Sequence, residues 1–272
     1  LYIIFFNNNL KYIFIYFIIR MTKLHIITYA THNEGLYDEL VNNRYGVEIK
    51  VLGWGDKWIS FMEKVRICNE YVRKLDDNDI VMILDGFDTK VNKKVNEDEI
   101  IKYMEENGKK VIFSKNIDNH MMGLERVVFD YCVDKYIANC GMYMGYVKYL
   151  NEVLDETLSM KCGDDQVNVN KLCGNFSFIG IDIENKIFEN LSSMNKSSNA
   201  MFVQYPGTIT INRVIREIKE YTQFFINNLV ILNIMIIIYL IKNKKRMGIC
   251  VIIVLNILLY TIMDTSCINC SN

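Results

Sequence analysis

Apolar residues in this chain form short continuous runs in the middle, amphipathic stretches between them, and longer unbroken runs at both ends. The short runs at Lys23–Ala30, Glu48–Leu52, Asp79–Leu84 and Lys110–Phe113 predict strands buried on both faces. Apolar positions at helical spacing predict helices over Leu36–Asn42, Ser60–Leu75, Glu97–Asn107, Tyr146–Ser159 and Gln166–Leu172. In the second of these Phe61, Val65, Cys68 and Val72 share one face, as core residues do. Strands alternating with helices predict an α/β domain over residues 21–221, with a mixed, mostly parallel sheet flanked by helices. Ligands of such sheets bind beyond the carboxyl ends of the strands.

The ends read differently. Residues 1–20 are apolar but broken by Asn7, Asn8, Asn9 and Lys11, which are costly at a bilayer centre. They lack the basic start and small-residue cleavage site of a signal peptide. They read best as a translated upstream stretch ahead of Met21, and otherwise as a weak signal-anchor. At the other end, Phe224–Ile241 and Met247–Met263 carry no charge and flank a basic turn containing Lys242, Lys244, Lys245 and Arg246. Each run is close to the about 20 residues a span needs, which predicts a transmembrane hairpin over 224–263 and a short tail over 264–272. The chain is therefore expected to be membrane-associated. The basic turn favours a cytoplasmic hairpin tip, while Arg213, Arg216 and Lys219 before the first run favour the reverse, so the side stays open.

Composition narrows the class. With 51% hydrophobic residues and a net charge of −1, the chain is not disordered. Its 31 basic against 32 acidic residues argue against a nucleic-acid partner. Cys68, Cys132, Cys140, Cys162 and Cys173 show no metal-ligand spacing, and the Cys267–Cys270 pair is a weak redox or metal motif. Sequons at Asn175, Asn190 and Asn195 matter only in a secretory lumen.

Chemistry concentrates in two acidic clusters. The third strand runs into Asp85-Gly86-Phe87-Asp88, two carboxylates just past a buried strand. Hard divalent cations take oxygen ligands and leave room for substrate phosphates, so this is a candidate diphosphate–metal site, with Gly86 allowing close backbone approach. A plain turn with a capping Asp is the alternative. Asp164-Asp165-Gln166 opens a helix, where acids also serve simply as caps. Two such clusters in one domain suit sugar-nucleotide transfer: one holds metal and diphosphate, the other positions or deprotonates the attacking hydroxyl.

An ordered series of motifs then carries a resemblance. Val51-Leu52-Gly53-Trp54-Gly55-Asp56-Lys57-Trp58, Lys64-Val65-Arg66, Asp85-Gly86-Phe87-Asp88, Ala138-Asn139-Cys140-Gly141-Met142-Tyr143-Met144-Gly145-Tyr146 and Asp164-Asp165-Gln166 together resemble the glycosyltransferase domain of procollagen lysyl hydroxylases (PLOD type) and related viral and protist domains, over about Lys23–Gly207. The resemblance implies a GT-A-type, Rossmann-like fold, manganese, and UDP-glucose or UDP-galactose as donor. The acceptor it implies is a hydroxyl such as hydroxylysine or galactosyl-hydroxylysine of a collagen-like protein. By the same resemblance Asp85 and Asp88 bind the metal, Thr28, Trp58, Lys64 and Phe87 form the donor site, and Asn139, Asp164 and Asp165 serve transfer. Phe87 would stack on the uracil. Buried packing or turn formation remains the alternative for Trp58, Phe87 and Asn139.

Two departures stand out. Gln204 occupies the place of the histidine expected as third metal ligand, and the loop after Trp58 is short. With no room for a hydroxylase domain expected after residue 221, the chain reads as a transferase alone. An active, metal-dependent, membrane-tethered transferase is the first expectation. A catalytically degenerate relative that binds nucleotide or serves as a membrane-anchored interaction protein is the second. A metal-dependent hydrolase is a distant third, with no histidine-rich cluster to support it.

Overall fold

The computed structural model describes residues 22–117, 128–206, 226–243 and 252. In chain order the elements are β1 (Leu24–Tyr29), α1 (Tyr37–Val41), β2 (Lys50–Leu52), α2 (Phe61–Val72), β3 (Ile80–Asp85), β4 (Thr89–Val91), α3 (Glu97–Asn107), β5 (Val111–Lys115), β6 (Ala138–Tyr146), α4 (Val147–Ser159), α5 (Asp165–Leu172), β7 (Ile179–Asp182), β8 (Phe188–Asn190), β9 (Phe202–Gln204) and α6 (Ile226–Lys242).

The main sheet has six strands in the order β2-β1-β3-β6-β5-β7. β1 runs parallel to β2 and β3, and β5 runs parallel to β7. β6 is antiparallel to both of its neighbours, β3 and β5. The sheet is thus mixed and mostly parallel, with helices against it, as the apolar runs predict. β6 itself is a strand that periodicity did not announce. Its Cys-Gly-Met-Tyr-Met-Gly stretch is buried throughout, because closely packed neighbours cover both faces.

Strand alternation divides the interior into two cores. One face buries Ile27, Tyr29, Val81, Ile83, Phe113 and Tyr143, covered by Val65, Cys68 and Val72 of α2 and Val147, Leu150 and Leu154 of α4. The other buries Ile26, Ile80, Met82, Leu84, Ile112 and Met144, covered by Ile100 and Met104 of α3. The N-terminus of α2 is set by Ser60, whose hydroxyl accepts the Glu63 amide at 3.1 Å, the Ser-x-x-Glu arrangement of a helix start.

A second, three-stranded sheet, β4-β9-β8, follows β3 in space. In the antiparallel β4–β9 pair Thr89 faces Gln204, and the Tyr205 amide donates to the Asp88 carbonyl at 2.9 Å. This sheet was not predicted, since each strand has only three residues.

The first expected membrane run coincides with α6, on which Ile231, Leu232, Met235 and Tyr239 are exposed. Among the described residues no helix is long and apolar enough to cross a membrane. The second run, apart from residue 252, and the expectations for residues 1–20 and the tail lie outside the described residues.

Candidate active site

The site forms where β1 and β3 end and β6 begins, together with α2, α5 and β9. Asp85 is the last residue of β3 and stays partly open, while Asp88, one turn on, is buried. Asp88 leads into a strand, so neither aspartate caps a helix. The turn between them lies against β1: a side chain at Gly86 would meet the Ala30 Cβ at 2.8 Å and the Tyr29 carbonyl oxygen at 3.0 Å. Only glycine fits there. Beside it, Thr28 donates its hydroxyl to the Leu84 carbonyl at 2.7 Å, so this buried threonine ties β1 to β3.

Gln204 reaches the same pocket from β9. Its Nε2 donates to Asp85 Oδ2 and to Asp88 Oδ1, each at 3.1 Å. Its Oε1 is buried without a hydrogen-bond partner. Gly141 of β6 makes room for this amide, since a Cβ there would lie 2.0 Å from Gln204 Nε2. Two carboxylates and a buried carboxamide are hard oxygen donors of the kind magnesium or manganese prefers. The unpartnered Oε1 fits such a role, because a buried carbonyl oxygen normally has a partner. Among the described residues no three His, Cys, Asp or Glu side chains gather as a cation site. His25, on β1, pairs instead with Asp79 at 3.0 Å.

Lys64 joins the two acidic clusters. It lies one helical turn before Cys68 on the inward face of α2, and its Nζ sits 3.0 Å from Asp85 and 2.8 Å from Asp165. The Cys140 carbonyl lies 3.4 Å from the same nitrogen. Burial disfavours the ammonium, but Asp165 and Asp85 outweigh it and hold the Lys64 pKa well above its usual value. Lys64 is therefore a buried strut between carboxylates, and only 4% of its side chain is exposed toward any donor.

Asp164 caps α5, its Oδ1 accepting the Val167 amide at 2.9 Å. Burial and the neighbouring Asp165 carboxylate push its pKa up to about 6. Burial also raises Asp165, against the pull of Lys64. Asp164 is thus the cap, while Asp165, in the first turn, pairs with Lys64.

Asn139 shapes the β6 backbone: its Oδ1 accepts the Gly141 amide at 2.9 Å and its Nδ2 donates to Asn116 at 3.3 Å. Asn170 of α5 clamps β6 through both the amide and carbonyl of Ala138. Sequence reasoning missed Asn170, Asn116 and the role of Gly141; an Asn on the inward face of a short helix was the available cue. Trp58 and Phe87 are neighbours, ring centroids 6.5 Å apart. Trp58 is half-buried against Tyr29 and Phe61, and Phe87 is buried beside His32.

The family model of the PLOD GT domain matches residues 20–218. Human procollagen-lysine,2-oxoglutarate 5-dioxygenase 2 is 28% identical over 190 residues, covering 62% of this chain and 25% of that protein. The chain thus spans about a quarter of the relative's length.

Proposed function

This chain belongs to the PLOD GT domain family, and from that membership we propose a metal-dependent glycosyltransferase that moves glucose or galactose from a UDP-sugar to a hydroxyl acceptor. The acceptor class is hydroxylysine, or galactosyl-hydroxylysine, of a collagen-like protein, in keeping with the lysine chemistry in the human relative's name. The observation that carries the reading is the meeting of Asp85, Asp88 and Gln204 with Asp164 and Asp165 around Lys64.

In this reading Asp85, Asp88 and the Gln204 Oε1 would hold manganese, with the amide turned from the orientation in which Nε2 faces both aspartates. The cation supplies neutralisation of the departing diphosphate. Trp58 and Phe87 frame the base, with aromatic faces suited to a flat ring, and Thr28 keeps the adjoining strand ends in register. Lys64 holds Asp165 beside Asp85, so the carboxylates face the reacting hydroxyl from a fixed distance. Asp164 or Asp165 orients that hydroxyl and takes its proton. Asn139 sets the β6 backbone that carries Gly141 beneath the amide. Membrane attachment through the C-terminal apolar runs completes the proposal, supported by the exposed apolar side chains of α6.

A second reading has one observation in its favour. Gln204 Nε2 already satisfies an oxygen of each aspartate, which suits a relative that keeps the fold without the transfer. The deciding experiment measures UDP release by the full chain in detergent from UDP-glucose and UDP-galactose. It is run with manganese or EDTA, with and without a hydroxylysine peptide, beside Asp88→Ala. Manganese-dependent release, lost in the variant, is expected. No release and no UDP–manganese binding would move the conclusion to the degenerate relative.

A further inference from the structure

Among the described residues two features remain outside the transfer site: the Cys132–Cys173 disulfide and three sequons. Cys132, in the loop before β6, is bonded to Cys173 at the end of α5, with 4.8 Å between Cα atoms and 41 residues between them in sequence. That Cα separation is within the ordinary range for a disulfide. Both cysteines are buried in the main core. The bond ties the segment leading to Asn139 to the helix that begins at Asp165. Cys68 and Cys140 are buried thiols, and burial pushes Cys68 up to about 12 and Cys140 well above its usual value. Neither is a ready nucleophile for reshuffling the bridge.

The sequons sort by geometry. Asn175 and Ser177 are exposed in the turn directly after Cys173, and Asn195 and Ser197 are exposed in the loop before β9. Asn190 differs. It ends β8, and its Nδ2 donates to Ser114 Oγ at 3.0 Å and to the Lys115 carbonyl at 2.8 Å. An amide nitrogen so engaged cannot be presented to an enzyme.

We propose that this domain is built for an oxidising lumen, stabilised there by Cys132–Cys173 and carrying N-linked glycans on Asn175 and Asn195 but not on Asn190. Structural disulfides persist in such compartments and are rare in reducing ones. In bridge formation the two thiols lose two protons and two electrons. The acceptor is the disulfide of a thiol–disulfide oxidoreductase, which leaves as a dithiol. In glycosylation each Asn amide nitrogen bonds to C1 of an oligosaccharide carried on a polyprenyl diphosphate. The C1–O bond breaks, the lipid diphosphate leaves, and the amide loses a proton. The basic turn after α6 agrees, since positive turns face the cytoplasm and put flanking domains opposite, while Arg213, Arg216 and Lys219 count the other way. That agreement depends on the membrane attachment proposed above; the disulfide and the sequons do not.

The test expresses the full chain behind a cleavable secretory signal in eukaryotic cells and, in parallel, without it in a reducing cytosol. Peptide mapping of the secreted form is expected to find glycans at Asn175 and Asn195, none at Asn190, and a Cys132–Cys173 peptide that disappears on reduction. Asn175→Gln and Asn195→Gln should each remove one glycan's mass. Reduction, or Cys173→Ser, should lower Tm by about 5–15 °C, with the Asn195 glycan retained. Unoccupied Asn175 and Asn195, a glycan on Asn190, thiols at Cys132 and Cys173, pairing of either with another cysteine, or equal Tm in the secreted and cytosolic forms would each overturn the proposal.

Discussion

Asp85 and Asp88 stand where a strand runs out into a turn, whereas Asp164 and Asp165 begin a helix inside the protein. The first pair is met by a neutral amide, Gln204 Nε2, and by one edge of Lys64. The second pair is met by backbone amides and by the other edge of Lys64. Concentrated negative charge is thus handled differently at each end of one lysine. The strand-end pair, of which Asp85 is partly open, keeps oxygens near donors that a cation can replace. The buried pair is held by groups that cannot leave, and its cost appears as raised carboxyl pKa values. The contrast suggests a division between binding charge from outside and keeping charge in place.

The most severe way to break this arrangement is Lys64→Met. It strands Asp85 and Asp165 without their shared cation, and a loss of about 3–5 kcal/mol is expected. Urea denaturation reads it, and an unchanged midpoint would mean that the lysine does not join the pairs. Next comes Asp88→Ala at the strand end. The fold should stay intact while manganese-dependent UDP release falls about 10²–10³-fold.

Asp164→Asn probes the buried side and should act in the opposite direction on stability. Asparagine still caps a helix, so the main change is loss of a carboxyl held at about 6 against an ordinary 3.8. A raised acid favours folding while protonated, so this contribution is complete below about pH 4 and is lost as pH rises through 6. The native chain should therefore lose stability between pH 4 and 6 where the variant does not. At pH 7 the variant should be more stable by roughly 1–3 kcal/mol and yet transfer more slowly. Melting curves across pH check the first statement, and a variant no more stable at pH 7 than at pH 4 relative to native would refute it.

The smallest expected effect is at Gln204→Ala, with about tenfold weaker manganese binding in the presence of UDP by calorimetry. Tighter binding instead would mark the amide as a competitor of the cation and favour the non-catalytic reading.

Both acidic clusters were legible because each is a local signal: carboxylates directly after a buried strand, or at the first turn of a helix. Lys64 was recognised through the motif series, but its neighbours were not. A lysine one turn before Cys68 looks like any basic residue near a ligand until α2 is packed against β3 and α5. Gln204 was legible only as a replacement. That its amide bridges two aspartates depends on the β4–β9 register, in which Thr89 faces Gln204. The Cys132–Cys173 pairing was equally hidden, since no spacing rule links cysteines in a loop and a helix end.

By itself the sequence determined the α/β alternation, the parallel strands on the β1 side and the positions of the acidic residues. Those depend on hydrophobic periodicity and on the chemistry of neighbours in the chain. Only the tertiary structure decided that β6 is inserted antiparallel, that β9 delivers an amide to β3, and that one lysine serves both clusters. Those contacts join residues 21 to 119 apart in sequence, where loop closure is nearly indifferent to partner. Packing and charge pairing in the folded interior make the choice.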